Sequence, residues 1–93
     1  MSEKPLFIPL KAEYYEAFEN GTKDTEYRRY GKIWNENNCR PGRTVTLSYG
    51  YGKARRMKGT VIDFHIVGAD AYPGIRAVYP EGDTFAAIKI KLS

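Results

Sequence analysis

One glycine, Gly21, separates two parts of the chain that differ in hydrophobic periodicity. Before it, Tyr14, Ala17 and Phe18 recur at the spacing of one helix face, with acidic residues between them. Glycine is also the residue that most easily adopts the left-handed conformation that ends a helix. The sequence therefore predicts a short amphipathic helix over residues 12–20 that ends at this glycine.

A strand is predicted after this break. Residues from Thr25 onward favour extended structure, and on a strand Glu26 and Arg28 share one face because side chains alternate. Lys23 has the opposite parity, so it joins the other two only if it still belongs to the turn or if a bulge intervenes. We expect Lys23 to lie in the turn and to overhang a cleft whose wall carries Glu26 and Arg28.

Residues 21–28 read Gly-Thr-Lys-Asp-Thr-Glu-Tyr-Arg and resemble the G-x-K-x-x-E-x-R signature of ASCH domains (activating-signal-cointegrator homology), a branch of the PUA-like superfamily. The order of a strand over residues 7–11, a helix and then the signature is similar too, so the resemblance spans most of the chain. It implies an α+β fold, a small PUA-like β-barrel of about five to six strands with two short helices. It also implies a single domain over residues 1–93, with a cleft that binds RNA or a modified nucleoside.

Further strands are predicted from alternation and apolar content. They cover residues 5–10, 44–48, 57–67 and 84–92. Pro9 lacks a backbone donor, which confines the first of these to an edge or a strand end. In the last, Ile88, Ile90 and Leu92 share one face. We expect a half-buried terminal strand that pairs with the first strand and closes the barrel.

Other segments are less regular. Residues 30–38 are predicted to form a second short helix with Ile33 and Trp34 turned inward, and Trp34 is either a core residue or a base-stacking platform beside the cleft. Gly59 is expected to mark a bend or bulge in the long strand. Residues 68–83 carry turn signals, and a helical turn and a short strand both remain open within them.

Basic residues are concentrated in the middle of the chain. The net charge of +4 excludes little by itself, but no acid occurs between Asn37 and Ile62. Residues 49–58, the basic arm, interleave tyrosines with lysines and arginines. Tyrosine rings stack on unpaired bases for about 1 to 3 kcal/mol each, and cations neutralise phosphates. The arm is therefore predicted to contact RNA or another single strand; the alternative is a solvated hairpin whose tyrosines cover the barrel end.

The motif also has two interpretations. As an exposed ion network it would contribute only about 0 to 1 kcal/mol to stability. As a binding site, Arg28 or Lys23 would hold a phosphate or a base edge while Glu26 orients the cation or accepts from a base amine. The predicted nucleic-acid-binding residues are Lys23, Glu26, Arg28, Arg29, Tyr49, Tyr51, Lys53, Arg55, Arg56 and Lys58.

Two further function classes remain open. Some proteins with the resembling fold are amidohydrolases that act on N4-acetylcytidine, and others are linked to RNA cleavage. In the amidohydrolase pattern a threonine follows the motif lysine three residues later; here Glu26 occupies that position and Thr25 is one place off. A different hydrolysis with Lys23 and Glu26 as acid and base remains a hypothesis. The third class is a protein-interaction module whose basic arm contacts an acidic partner.

Metal and disulfide chemistry are not expected. Cys39 is the only cysteine, and His65, the only histidine, is predicted to be structural because no nucleophile lies near it in the sequence. No cofactor is predicted. Ninety-three residues with 42% hydrophobic and 28% charged side chains fit one globular domain. Without a leader or a long apolar run, we expect a soluble protein of the reducing cytoplasm with no membrane partner. The oligomeric state does not follow from the sequence.

Overall fold

The computed structural model describes residues 4–71, 74–75, 79, 82 and 84–93, which form an α+β domain of one five-stranded sheet and one α-helix. The elements in chain order are β1 (Leu6–Leu10), α1 (Ala12–Glu19), β2 (Thr25–Arg29), β3 (Thr44–Tyr49), β4 (Arg56–Val67), a single 3-10 turn (Ala69–Ala71) and β5 (Phe85–Leu92). The five predicted strands are thereby confirmed. In the described part of the chain, no helix has both the length and the apolar character needed to cross a membrane.

The strand order in the sheet is β1-β3-β4-β5-β2, so β1 and β2 are its two edges. Strand β1 pairs with β3 in parallel, and the other pairs are antiparallel. The sheet curls until its edges approach: the Arg28 guanidinium in β2 donates a hydrogen bond to the Pro9 carbonyl in β1 over 2.5 Å. The predicted pairing of the last strand with the first is wrong, because β5 pairs with β4 and β2. Alternation predicts which face of a strand is buried and does not specify its neighbour.

The alternation of apolar and polar residues along the strands correctly predicts which side chains face the core. The inward residues of β1, β3 and β5 are almost fully buried and pack against α1. On β5, Ile88 and Ile90 are buried while Lys89 is exposed, as predicted. Gly59 is not the site of the predicted bulge, because the register shift in β4 lies between Val61 and Asp63.

The second predicted helix, over residues 30–38, is wrong. This segment is an irregular loop organised by the Asn35 side chain. Its Nδ2 donates to the carbonyls of Gly31 and Lys32, and its Oδ1 accepts from two following backbone N–H groups. Asparagine competes with helical hydrogen bonding in this way. Ile33 is 58% exposed rather than inward, whereas Trp34 is half-buried against the core.

Helix α1 ends where the sequence predicts. Asn20 is its C-terminal cap, and Gly21 follows with φ of 84°, in the left-handed region. Its buried residues, however, are Tyr15 and Phe18. Tyr14, which the periodicity assigns to the core, is only half-buried and faces a cleft.

The predicted turns at residues 72–74 and 80–83, and the undecided segment between them, lie largely outside the described residues. Among the described members of this region, Ile75 is buried and Tyr79 is half-buried. The Tyr79 N–H donates to the Ile75 carbonyl over 2.7 Å. Both side chains line a hollow beside β2.

The thiol of Cys39 is expected to be unreactive in the folded protein. Cys39 is fully buried, and this burial raises the pKa of its thiol above the ordinary value of 9.0. Because the thiolate is the nucleophile, native protein should resist iodoacetamide at mildly alkaline pH, and denatured protein should react fully. The raised pKa contributes stability that is present below pH 9.0 and is lost as the pH rises through the folded-state value. Mass spectrometry of the alkylated protein checks this; rapid alkylation of native protein contradicts it.

Candidate ligand-binding cleft

A cleft of about 350 Å³ lies between the edge strands β1 and β2, where the curled sheet remains open. Its volume falls within the usual range of small-molecule sites. It is lined by Pro9, Leu10, Lys11, Tyr14, Glu26, Arg28, Gly50, Tyr51 and Tyr79. A smaller adjoining hollow shares Tyr14, Glu26 and Tyr79 and adds Lys23, Tyr27, Gly74 and Ile75. The cleft and the hollow meet at Glu26.

Glu26 lies at the centre of the charged cluster. It is 6% exposed, and its Oε2 accepts a hydrogen bond of 2.7 Å from Arg28 Nε. Its Oε1 is 3.5 Å from Lys23 Nζ. Glu26 and Arg28 face the same side of β2, opposite Ile88 and Ala86 of β5. The predicted convergence of the three motif side chains is therefore confirmed as geometry.

Lys23 reaches the carboxylate from the turn, as predicted. Its backbone N–H donates to the Ala17 carbonyl over 3.1 Å, which folds the turn back onto the end of α1. The Nζ atom then lies 5.4, 5.6 and 5.8 Å from the ring centres of Tyr14, Phe18 and Tyr27. An ammonium group at such distances is attracted by the negative ring faces. Helix α1 and strand β2 thus hold the cation between aromatic rings and one carboxylate.

Arg28 joins the two edges of the sheet. Its Nε donates to Glu26 and its Nη2 to the Pro9 carbonyl of β1. The guanidinium carbon also lies 4.8 Å from the centre of the Trp34 ring. This tryptophan is half-buried and packs against the core. Arginine suits this position because its planar fork donates in several directions at once.

Two tyrosines that sequence reasoning did not assign to the site, Tyr14 and Tyr79, form walls of the cleft. Burial raises the pKa of Tyr79 above its ordinary value of 10.0; the charge of Arg28 opposes this rise, and that of Glu26 adds to it. The phenol is therefore neutral at physiological pH. The hydrophobic spacing of α1 identified Tyr14 as a helix-face residue, but nothing in the local sequence around Tyr79 indicated a site.

The basic arm divides between two surfaces. Arg55 Nη2 lies 3.0 Å from Glu19 Oε1 of α1, and its guanidinium carbon is 5.1 Å from the Tyr15 ring and 4.7 Å from the Tyr49 ring. This end of the arm therefore packs on the helix. By contrast, Tyr51 is 82% exposed and lines the cleft.

The other predicted residues lie elsewhere. Arg29, Lys53 and Lys58 are exposed, and the guanidinium carbon of Arg29 lies 5.9 Å from the Tyr79 ring. His65 Nε2 is 3.0 Å from Asp63 Oδ2 in an exposed pair on β4. Among the described residues, no group of three or more His, Cys, Asp or Glu is placed to hold a metal ion.

The cleft and the adjoining hollow combine cations, one carboxylate and tyrosine rings. Lysine and arginine donate to phosphate or to base acceptors, a carboxylate accepts from amines, and tyrosine rings stack.

No protein-family model matches this chain. No curated protein matches it either.

Proposed function

We propose that this chain is an ASCH-type, PUA-like domain that binds RNA or a nucleotide-like ligand in the cleft between β1 and β2. The observation that carries the proposal is the nearly buried Glu26 carboxylate, which lies between Lys23 and Arg28 where the cleft meets the adjoining hollow. The cations suit phosphate or base acceptors, and the surrounding tyrosines suit a base. An RNA ligand also agrees with the cytoplasmic location expected from the sequence.

The burial of this cluster favours a binding role over an ordinary surface ion network. The side chains of Lys23, Glu26 and Arg28 are only 20%, 8% and 16% exposed. Removing ions from water costs several kcal/mol each, and apolar residues of similar volume often give equal or greater stability. A charged group of this kind beside an open cleft is therefore better explained by a ligand than by stability alone.

The signature residues support the family assignment because each of them helps to build the charged cluster beside the cleft. Gly21 ends α1 in a left-handed conformation. Lys23 then turns back toward the helix, and Glu26 and Arg28 meet it from β2. A ligand site is the simplest common purpose for the spacing G-x-K-x-x-E-x-R in this chain.

Anisotropy of a fluorescein-labelled single-stranded RNA of about eight nucleotides tests the proposal, at low ionic strength because phosphate contacts weaken with salt. We expect wild-type protein to bind, and Lys23→Met to weaken binding about tenfold to a hundredfold through loss of a charge-assisted contact. Methionine keeps an apolar stem among the three rings. The matched control, Lys91→Met, changes an exposed lysine of β5 and should bind like wild type.

Two results would contradict the proposal. One is the absence of RNA or mononucleotide binding by wild-type protein at low salt. The other is a folded Lys23→Met variant, verified by circular dichroism, with unchanged affinity. Binding of an acidic peptide in place of RNA would favour the protein-interaction module instead.

A hydrolase acting on a modified nucleoside or on RNA is the second candidate, favoured by the 3.5 Å approach of Lys23 Nζ to Glu26 Oε1 inside the hollow. The lysine-threonine pair of the amidohydrolases is not supported here. Thr25 lies opposite Lys89 in the ladder, and its hydroxyl donates to Asp24 over 2.8 Å. Turnover of N4-acetylcytidine or RNA that disappears in Lys23→Met would establish the hydrolase.

A further inference from the structure

The face of the sheet opposite the core carries a second aromatic and basic surface. Leu6, Ile8 and Leu10 of β1 point into the core, so Phe7 points outward and is 37% exposed. Across the sheet, Phe7 pairs with Thr46 of β3, which pairs with Lys58 of β4. The next row on this side of the sheet is Pro9, Ser48 and Arg56. Ser48 is buried there, and its Oγ donates to the Gly52 carbonyl over 3.2 Å. Residues directly opposite each other share a face, which groups Phe7, Arg56 and Lys58 on the outside. With Tyr51 they form the outer patch.

Ring and cation contacts connect this patch. The guanidinium carbon of Arg56 lies 5.2 Å from the Phe7 ring centre, and its Nε donates to the Gly52 carbonyl over 3.3 Å. The Phe7 and Tyr51 ring centres are 6.3 Å apart at an interplanar angle of 43°. Single exposed aromatics are ordinary on a protein surface, but adjacent rings beside cations make a stacking platform for unpaired bases.

The outer patch is continuous with the cleft. Tyr51 lines the cleft together with Pro9, and it also contacts Phe7. Pro9 and Phe7 are two residues apart on the same face of β1, about 7 Å along the strand. Aromatic surface therefore extends from Tyr14 and Tyr79 inside the cleft, across Tyr51, to Phe7 outside it.

The two adjacent arginines of the arm have different surroundings. Arg55 is paired with Glu19 and stacked on Tyr15 and Tyr49, so it fixes the arm to α1. Arg56 lies on the outer face and has no carboxylate partner within the part of the chain that the structure describes. Its charge is available to a phosphate, as is that of the exposed Lys58.

We infer, on the basis of the proposed function, that the ligand is a single-stranded polynucleotide rather than a free nucleoside. One base occupies the cleft beside Lys23 and Glu26. The polynucleotide leaves the cleft over Tyr51 and stacks a neighbouring base against Tyr51 or Phe7. Its phosphates lie at Arg56 and Lys58. Arg55 acts as a positioning residue that holds the arm in place.

The inference is tested by comparing two probes, the labelled RNA of about eight nucleotides and ribonucleoside monophosphates as competitors. Wild type should bind the RNA at least about tenfold more tightly than a monophosphate. Phe7→Ala and Arg56→Ala should each lower RNA affinity about fivefold to tenfold and leave monophosphate affinity unchanged. Arg56→Ala should also reduce the slope of log affinity against log salt by about one. Phe7→Tyr, which keeps a stacking ring, and Arg40→Ala, an exposed arginine outside the patch, are the matched controls.

The outcomes separate this inference from the proposed function. If Lys23→Met weakens both probes while Phe7→Ala and Arg56→Ala bind RNA like wild type, the cleft binds its ligand and the outer patch has no role. Equal affinity of wild type for RNA and monophosphates likewise overturns the inference alone. If wild type binds neither probe, the proposed function fails and the inference fails with it.

Discussion

Replacing Arg28 with alanine is expected to lower the free energy of unfolding by about 3 kcal/mol, which is roughly 15 °C in melting temperature for a domain of this size. The Arg28 guanidinium donates to Glu26 in its own strand and to Pro9 across the gap between the sheet edges. Without it, the Glu26 side chain, 8% exposed, keeps Lys23 at 3.5 Å as its one charged partner among the residues that the structure describes. Thermal and urea unfolding followed by circular dichroism measure the loss.

Two comparisons separate the contribution of the hydrogen bonds from that of the charge. Arg28→Lys keeps a cation but has no planar fork, so it should recover at most about half of the loss. Lys32→Ala removes an exposed cation of the loop and should change stability by less than about 0.5 kcal/mol. A double-mutant cycle with Glu26→Gln isolates the pair energy. A melting temperature for Arg28→Ala equal to that of wild type would mean that the bridge between β1 and β2 does not stabilise the fold.

Substitution of Arg28 should also change the affinity for RNA. Because Arg28 also borders the cleft, Arg28→Lys is expected to weaken RNA binding even where it restores part of the stability. A lysine has a compact ammonium group in place of the planar guanidinium, so it loses the flat face that lies against Trp34 and the two-armed geometry that reaches Glu26 and Pro9. Loss of affinity in a stably folded Arg28→Lys variant would link the sheet bridge to the ligand site.

The part of the site that the sequence predicts well is local. Lys23, Glu26 and Arg28 lie within six positions of one another, so a helix end at Gly21 and the period of a strand are enough to bring them together. Their geometry therefore follows from backbone rules that act over a few residues.

Long-range partners could not be predicted in the same way. The sequence predicts that Arg55 is available to bind a phosphate, because no acid lies near it in the sequence. In the structure it pairs with Glu19, which comes 36 residues earlier. The periodicity of α1 assigns Tyr14 to the core, whereas its neighbour Tyr15 is the buried residue and makes an edge-to-face contact of 5.5 Å with Tyr49 of β3. Such contacts depend on which elements become neighbours, and alternation does not specify that.

Gly59 is a position where the sequence indicates that a glycine is needed but does not indicate the reason. The strand pattern predicts a bend or bulge at Gly59, whereas the structure places this residue where β4 and β5 approach closely. A Cβ at this position would lie 2.8 Å from the backbone oxygen of Lys91 and 2.9 Å from Ile90 Cγ2. A backbone atom of a paired strand cannot move aside as a flexible side chain can, so the ladder between β4 and β5 must shift.

Gly59→Ala is therefore expected to destabilise the protein by about 2 kcal/mol or more, the usual range for overpacking a tight interior. Gly31→Ala is the matched control, because its Cβ would meet nothing within 4 Å, and its effect should be close to zero or slightly stabilising. The urea midpoint should fall for Gly59→Ala with an unchanged m-value. Since β5 also pairs with β2 and lies opposite Glu26, a shifted β5 should weaken RNA binding in parallel. A Gly59→Ala variant as stable as the Gly31→Ala control would contradict the close approach of the two strands.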